Sequence, residues 1–138
     1  MWINIKPIKA AELRAFESEF SFRINQAVKS FLQEHNGGIT YSGDFPVVVT
    51  GTQQIKERRM DCLLDFSDRN DPDGAWEINR RLRKKIGDKR IIIGRDQKNN
   101  MICLERDRKE QYIVVWSHIT REFDRCPLDI PAFLQAIS

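Results

Sequence analysis

The residues best suited to chemistry lie in two adjoining blocks of opposite charge. From Asp61 to Glu77 stand six acids, Asp61, Asp65, Asp68, Asp71, Asp73 and Glu77, against the single base Arg69, a local charge of −5. From Asn79 to Asn100 nine bases face two acids, a local charge of +7, while the whole chain carries only +3. Within the acidic block, Asp68-Arg69-Asn70-Asp71-Pro72-Asp73-Gly74 has the composition of a calcium loop. Such a loop needs acids at its first, third and fifth positions, glycine at the sixth and a bidentate glutamate at the twelfth. Counting back from Gly74 puts Arg69 first and Arg80 twelfth, so the spacing excludes it. Two readings remain: a solvated turn whose Asp73 caps the following helix, or an acidic face offered to a partner.

The basic block contains Arg80-Arg81-x-Arg83-Lys84-Lys85, followed by Lys89, Arg90, Arg95 and Lys98. Such a run could grip phosphates. It lacks the interleaved aromatics on which bases stack, apart from Trp76 one turn earlier, and reads more simply as the wet face of an amphipathic helix. His35 and His118 are the only histidines. A metal site would want them beside Cys or carboxylates at ligand spacing, whereas His35 falls in the last turn of a helix, where a cation complements the dipole, and His118 follows a strand. No Ser, Cys and His form a nucleophile–base pair, and Gly37-Gly38 stands outside any phosphate-loop frame. The chain therefore predicts no catalytic residue, no metal and no cofactor.

The elements that must carry these residues read as follows. Lys89 to His118 predicts three consecutive strands: Ile91-Ile92-Ile93, closed by Gly94; Met101 to Glu105; and Tyr112 to Trp116. Short apolar runs between polar loops indicate an antiparallel meander. Leu13, Phe16 and Phe20 give Lys9–Phe20 a helical period, and Ile24, Val28, Phe31 and Leu32 extend the same period over Phe22–His35. Asn36-Gly37-Gly38 then closes that helix, with glycine supplying a left-handed residue. Ile78, Leu82 and Ile86 line one face of a helix over Gly74–Ile86, and Leu128–Ile137 reads as a closing helix. Shorter strands are expected at Trp2–Lys6, Pro46–Thr50 and Met60–Phe66. Ile39–Phe45 and the stretch from Trp116 to Pro127 read as loops, and Gly51–Arg59 has no clear pattern.

Composition sets the class. A chain of 138 residues with 41% hydrophobic and 31% charged residues is expected to form one domain, residues 1–138, with a self-sufficient core. Its apolar runs fall far short of the ~18 residues that span a bilayer, which predicts no membrane partner. The opening MWINIKPIKAAEL has no basic segment followed by an apolar one, so no secretory signal is expected. Cys62, Cys103 and Cys126 make an odd count without Cys-x-x-Cys spacing, as in a reduced, cytoplasmic protein.

The ordered set of patterns resembles the SUKH superfamily, which includes fungal cell-wall-synthesis regulators and many bacterial immunity proteins. The matching residues are the acidic-aromatic helix Glu12–Phe20, then Val28-x-x-Phe31-Leu32-x-x-x-Asn36-Gly37-Gly38, Ile92-Ile93-Gly94-Arg95-Asp96, Asn100-x-Ile102-Cys103-Leu104, Val115-Trp116-Ser117-His118 and Ile130-Pro131-Ala132-Phe133-Leu134. Two positions depart from the pattern. Arg23-Ile24 replaces the usual Leu-Pro before the second helix, and Asn99 replaces the glycine often found before the strand asparagine. The resemblance implies an α+β domain, mostly antiparallel sheet flanked by about four α-helices, with a binding role and no catalytic centre.

The function expected on that basis is an immunity protein that binds one cognate toxin domain, often a nuclease, and blocks it by occlusion and charge complementarity. With a sequence pI near 8.9, the chain as a whole is no acidic mimic. The partner should then meet the local acidic surface of Asp65, Asp68, Asp71, Asp73 and Trp76, or carry acids that meet the basic helix. The alternatives are a nucleic-acid-binding module using the basic helix 79–90 and a regulatory scaffold.

Overall fold

Twelve elements alternate along the chain in the order β1 (Trp2–Ile3), α1 (Ala10–Phe20), α2 (Gln26–His35), β2 (Ile39–Thr40), β3 (Asp44–Val48), β4 (Ile55–Leu63), α3 (Ala75–Ile86), β5 (Arg90–Asp96), β6 (Met101–Arg106), β7 (Gln111–Trp116), β8 (Phe123–Arg125) and α4 (Ile130–Ile137). A computed structural model describes all residues, Met1–Ser138. The α+β class and the mostly antiparallel sheet flanked by four helices are as the sequence predicts.

The meander forms β5, β6 and β7, paired through Ile92↔Cys103 and Cys103↔Val114. The β5–β6 turn is tied by Asp96, whose Oδ1 accepts the N–H groups of Lys98 and Asn100, each at 2.9 Å. What the local patterns did not foretell is closure. β7 pairs with β8, β8 with β3, β3 with β4, and β4 returns to β5. Six strands thus curl into a barrel-like ring, while β2 and β1 extend the sheet beyond β4.

At the seam β5 pairs Gly94 with Leu63, and a Cβ on Gly94 would stand 2.6 Å from the Cys62 carbonyl oxygen. Gly94 therefore does not close its strand, as its sequence position suggests. It sits inside β5, beside a register shift between Ile92 and Gly94, where backbone approaches backbone.

Burying apolar surface holds the helices to this sheet. Leu13, Phe16 and Phe20 of α1 are buried, and the Phe16 ring packs edge-on to Phe66 at 4.8 Å and to Trp76 at 5.4 Å. Phe133 of α4 meets Phe45 of β3 edge-on at 5.1 Å. Helix α3 lies on β5, pinned by buried Asn79, which donates to the Ile92 carbonyl at 3.0 Å and accepts the Ile92 N–H at 2.8 Å.

Several boundaries differ from expectation. Helix α2 begins at Gln26, because Asn25 caps it by accepting the N–H groups of Ala27 and Val28; Phe22 and Ile24 are buried in the connection before it. Strand β3 runs Asp44–Val48 rather than Pro46–Thr50, and the expected loop before it contains β2. Strand β4 starts at Ile55, so its polar half Lys56–Arg59 was missed: it pairs with β3 through the backbone and through an Arg59–Asp44 ion pair at 2.6 Å, neither of which leaves an apolar period. Strand β8 has three residues in what reads as loop, too short for a periodic signal.

Asp73 does not cap α3. Gly74 holds the N-cap position with no side-chain cap, and the Asp73 N–H turns back to Asp71 Oδ1 at 3.0 Å. Gly37 adopts φ +68°, the left-handed conformation expected after α2.

Candidate binding surface

The acidic block is brought together by the end of β4 and the loop leading into α3. Asp61, Asp65, Asp71 and Asp73 line a cleft of about 240 Å³, shared with Lys6, Arg95, Gly37 and Cys62. Each carboxylate has a different task. Asp65 is half-buried: its Oδ1 accepts from Asn36 Nδ2 at 2.8 Å and from the Ser67 N–H at 2.8 Å, and Lys6 Nζ stands 3.6 Å from Oδ2. Burial opposes ionisation of Asp65, but the Ser67 and Asn36 hydrogen bonds and the Lys6 charge together hold its pKa below the usual carboxylate value.

Asp71 shapes the loop by accepting the Asp73 N–H, while its carbonyl takes the Gly74 N–H at 3.0 Å. Asp73 is exposed, and Asp61 and Asp71 are half-buried. In the same cleft Arg95 Nη2 donates to Cys62 Sγ at 3.4 Å, while its buried Nε has no partner. The cleft thus offers three carboxylates without an ion pair, Asp61, Asp71 and Asp73, beside one guanidinium that is only partly satisfied.

Two of the expected surface residues lie elsewhere. Asp68 is exposed outside the cleft and accepts the Asn70 N–H at 2.9 Å. Trp76 is a core residue, 2% exposed. Its Nε1 donates to the Phe66 carbonyl at 3.0 Å, and the guanidinium of Arg69 covers its ring at 4.4 Å. A partner cannot reach that indole, so Trp76 leaves the candidate surface. Lys6 and Arg95 were missed because they come from segments distant in sequence. Asp61 stood in the acidic count but not in the expected site, and no local signal aims it into the cleft.

On α3, Arg80, Arg81, Lys84 and Lys85 are exposed, while Ile78 and Ile86 are buried and Leu82 packs against the core. Arg83 is half-buried and donates to the Phe20 carbonyl at 3.3 Å.

The remaining titratable groups are tied into the fold. Cys103 is fully buried, which pushes its thiol up to about 12, so it carries no thiolate near neutral pH. A polar ladder crosses the meander: Arg90 and the Tyr112 hydroxyl both donate to Glu105. The Glu105 hydrogen bond is the main cause that pushes Tyr112 up to about 12. His35 stacks on Phe31 at 4.1 Å, and no group of three or more His, Cys, Asp or Glu side chains is placed to hold a metal ion.

A curled antiparallel sheet backed by helices, with a charged cleft at the β4–α3 junction, defines the class: an α+β domain whose conspicuous surface is a charged recess. The SMI1 / KNR4 family (SUKH-1) model matches residues 7–135, and the chain belongs to that family. No curated protein and no solved structure matches the chain. No helix is long and apolar enough to cross a membrane.

Proposed function

We propose that the protein is a non-catalytic immunity protein that neutralises a cognate bacterial toxin domain by binding it. Membership of the SUKH family carries this reading, because immunity proteins and regulators are the roles that family contains. The acidic cleft supports it: Asp61, Asp71 and Asp73 line it without a salt bridge, suited to basic side chains of a nuclease-like partner. Asp68 extends the same charge along the exposed loop. Occlusion needs only a stable complex, and opposite potentials speed its formation. The reading puts the protein in the cytoplasm, beside the target that the toxin would attack.

Nucleic-acid binding through α3 has less behind it. The exposed bases of α3 have no accessible aromatic beside them, since Trp76 is enclosed beneath Arg69.

The test is co-expression with a candidate toxin domain, sought among the genes neighbouring this one. Restored growth and a stable 1:1 complex are expected; a folded protein that neither protects nor binds would sink the reading. The variant Asp61→Asn/Asp71→Asn/Asp73→Asn should weaken the complex by about tenfold or more. An unchanged affinity would remove the cleft from the interface while leaving immunity standing.

A further inference from the structure

A second charged recess, built from three segments far apart in sequence, shares no residue with the acidic cleft. Ser21 ends α1 in a left-handed turn at φ +50°. The following connection is stitched to β7 by Gln111, whose Oε1 accepts the Asn25 N–H at 2.8 Å and whose Nε2 donates to the Arg23 carbonyl at 2.5 Å. Arg106, at the end of β6, lies 4.9 Å over the Phe22 ring and donates to the Ser21 carbonyl at 2.9 Å. These bonds set the α1–α2 connection against the β6–β7 hairpin.

Three adjoining hollows result, of about 500, 540 and 320 Å³, all lined by Arg106. Their walls carry seven basic and four acidic side chains.

The balance of available charge is more lopsided than that count. Glu17 is occupied by Lys29 at 3.0 Å and by the Ile24 N–H at 2.7 Å. Asp107 accepts the N–H groups of Lys109 and Glu110, which hold its carboxyl below the ordinary value, and Glu110 faces Arg125 at 3.3 Å. Arg14, Arg23, Lys89, Arg106, Arg108 and Lys109 have no carboxylate within ion-pair distance. Asp88 and Asp107 have no cation within ion-pair distance either, so six unpaired cations stand around the recess against two unpaired carboxylates, an excess of positive charge that favours an entering anion.

The only apolar residues lining the recess are Ile24 and Phe22, both buried. No aromatic face is open for a nucleobase to stack on. Arginines on separate walls instead suit carboxylates arrayed along an extended chain, each taken by a forked pair of N–H donors.

We propose that this recess, between the α1–α2 connection and the β6–β7 hairpin, binds an acidic polypeptide segment of a partner protein. The proposal does not rest on the toxin reading, and its test needs no toxin.

The full-length protein would be titrated into a fluorescein-labelled deca-glutamate peptide, read by anisotropy at low salt and at about 150 mM salt. Two charge-reversed variants are compared: Arg14→Glu/Arg23→Glu/Arg108→Glu in the recess, and Arg80→Glu/Arg81→Glu/Lys84→Glu on α3. All six side chains are exposed, and an unchanged melting temperature verifies that each variant folds. The recess variant should lose about tenfold or more in affinity and the α3 variant less than about twofold. A thymidylate oligomer of equal charge should bind more weakly than the peptide. Absent peptide binding, equal losses in the two variants, or tighter binding of the oligomer would each overturn the proposal.

Discussion

Asn36 and Asp65, 29 positions apart, are joined by a hydrogen bond of 2.8 Å from Nδ2 to Oδ1. The same Asn36 side chain donates to the Lys6 carbonyl at 3.0 Å and accepts the Phe66 N–H at 2.7 Å. Asn36 is fully buried. One amide therefore ties the segment after β1, the end of α2 and the strand exit beyond β4 into one corner, from which Lys6, Gly37 and Asp65 line the acidic cleft.

Asn36→Ala would leave those partners without their bonds. Each buried polar group left unpaired costs about 1–3 kcal/mol, so a loss of about 2–4 kcal/mol is expected. Urea denaturation measures it, and a loss under about 1 kcal/mol would mean that water replaces the amide.

Asp65 makes part of this stability depend on pH. Its folded-state pKa lies below the ordinary 3.8, so ionised Asp65 stabilises the fold above that value, and the contribution disappears as pH falls through the folded pKa. Asp65→Asn keeps an acceptor at Oδ1 but cannot ionise. Its melting temperature should lie below that of the parent protein at neutral pH, and the gap should close under acid. A gap that stays constant from neutral pH down to about pH 2 would show that ionisation of Asp65 contributes nothing.

Gly94 is the narrowest point of the seam. A Cβ there would meet the Cys62 carbonyl oxygen at 2.6 Å, so Gly94→Ala must push β4 and β5 apart, at a cost of about 3 kcal/mol. Gly51 provides the comparison. It has φ +79°, and a methyl group there would meet no atom within 4 Å, so Gly51→Ala should cost only about 1 kcal/mol of backbone strain. Thermal melts of the two variants rank them, and equal losses would contradict a steric seam.

Asn99 explains one departure from the family pattern. It holds φ +63° in the β5–β6 turn, the backbone that favours the glycine often found there. Asparagine tolerates this conformation better than most residues. Asn99→Gly should therefore be neutral or stabilising by up to about 0.5 kcal/mol, whereas Asn99→Val should cost more than about 1 kcal/mol. Equilibrium unfolding of both variants decides it.

Elements whose apolar residues repeat at a helical or strand period were legible from the chain alone. Leu13, Phe16 and Phe20 marked α1; Ile78, Leu82 and Ile86 marked α3; and the runs around Ile92, Cys103 and Val114 marked the meander. Polar or very short strands were not, because β4 is held at Lys56–Arg59 by backbone pairing and β8 has three residues. The acidic block could be counted, yet its geometry could not: Trp76 stood beside the aspartates in sequence and turned into the core, while Lys6 and Arg95 arrived from outside.

By itself, the sequence determined the class of fold, the helices, the meander, the glycine turn after Asn36 and the family to which these patterns belong. Periodic burial and turn chemistry act over a few residues, so a local reading can recover them. Only the tertiary structure decided that the sheet closes at Gly94, that Asn36 reaches Asp65, and that Arg14, Arg23, Arg106 and Lys109 surround one recess. Those relationships depend on which faces meet after the sheet curls, and opposite charges or hydrogen-bond partners many residues apart leave no period in the chain to reveal it.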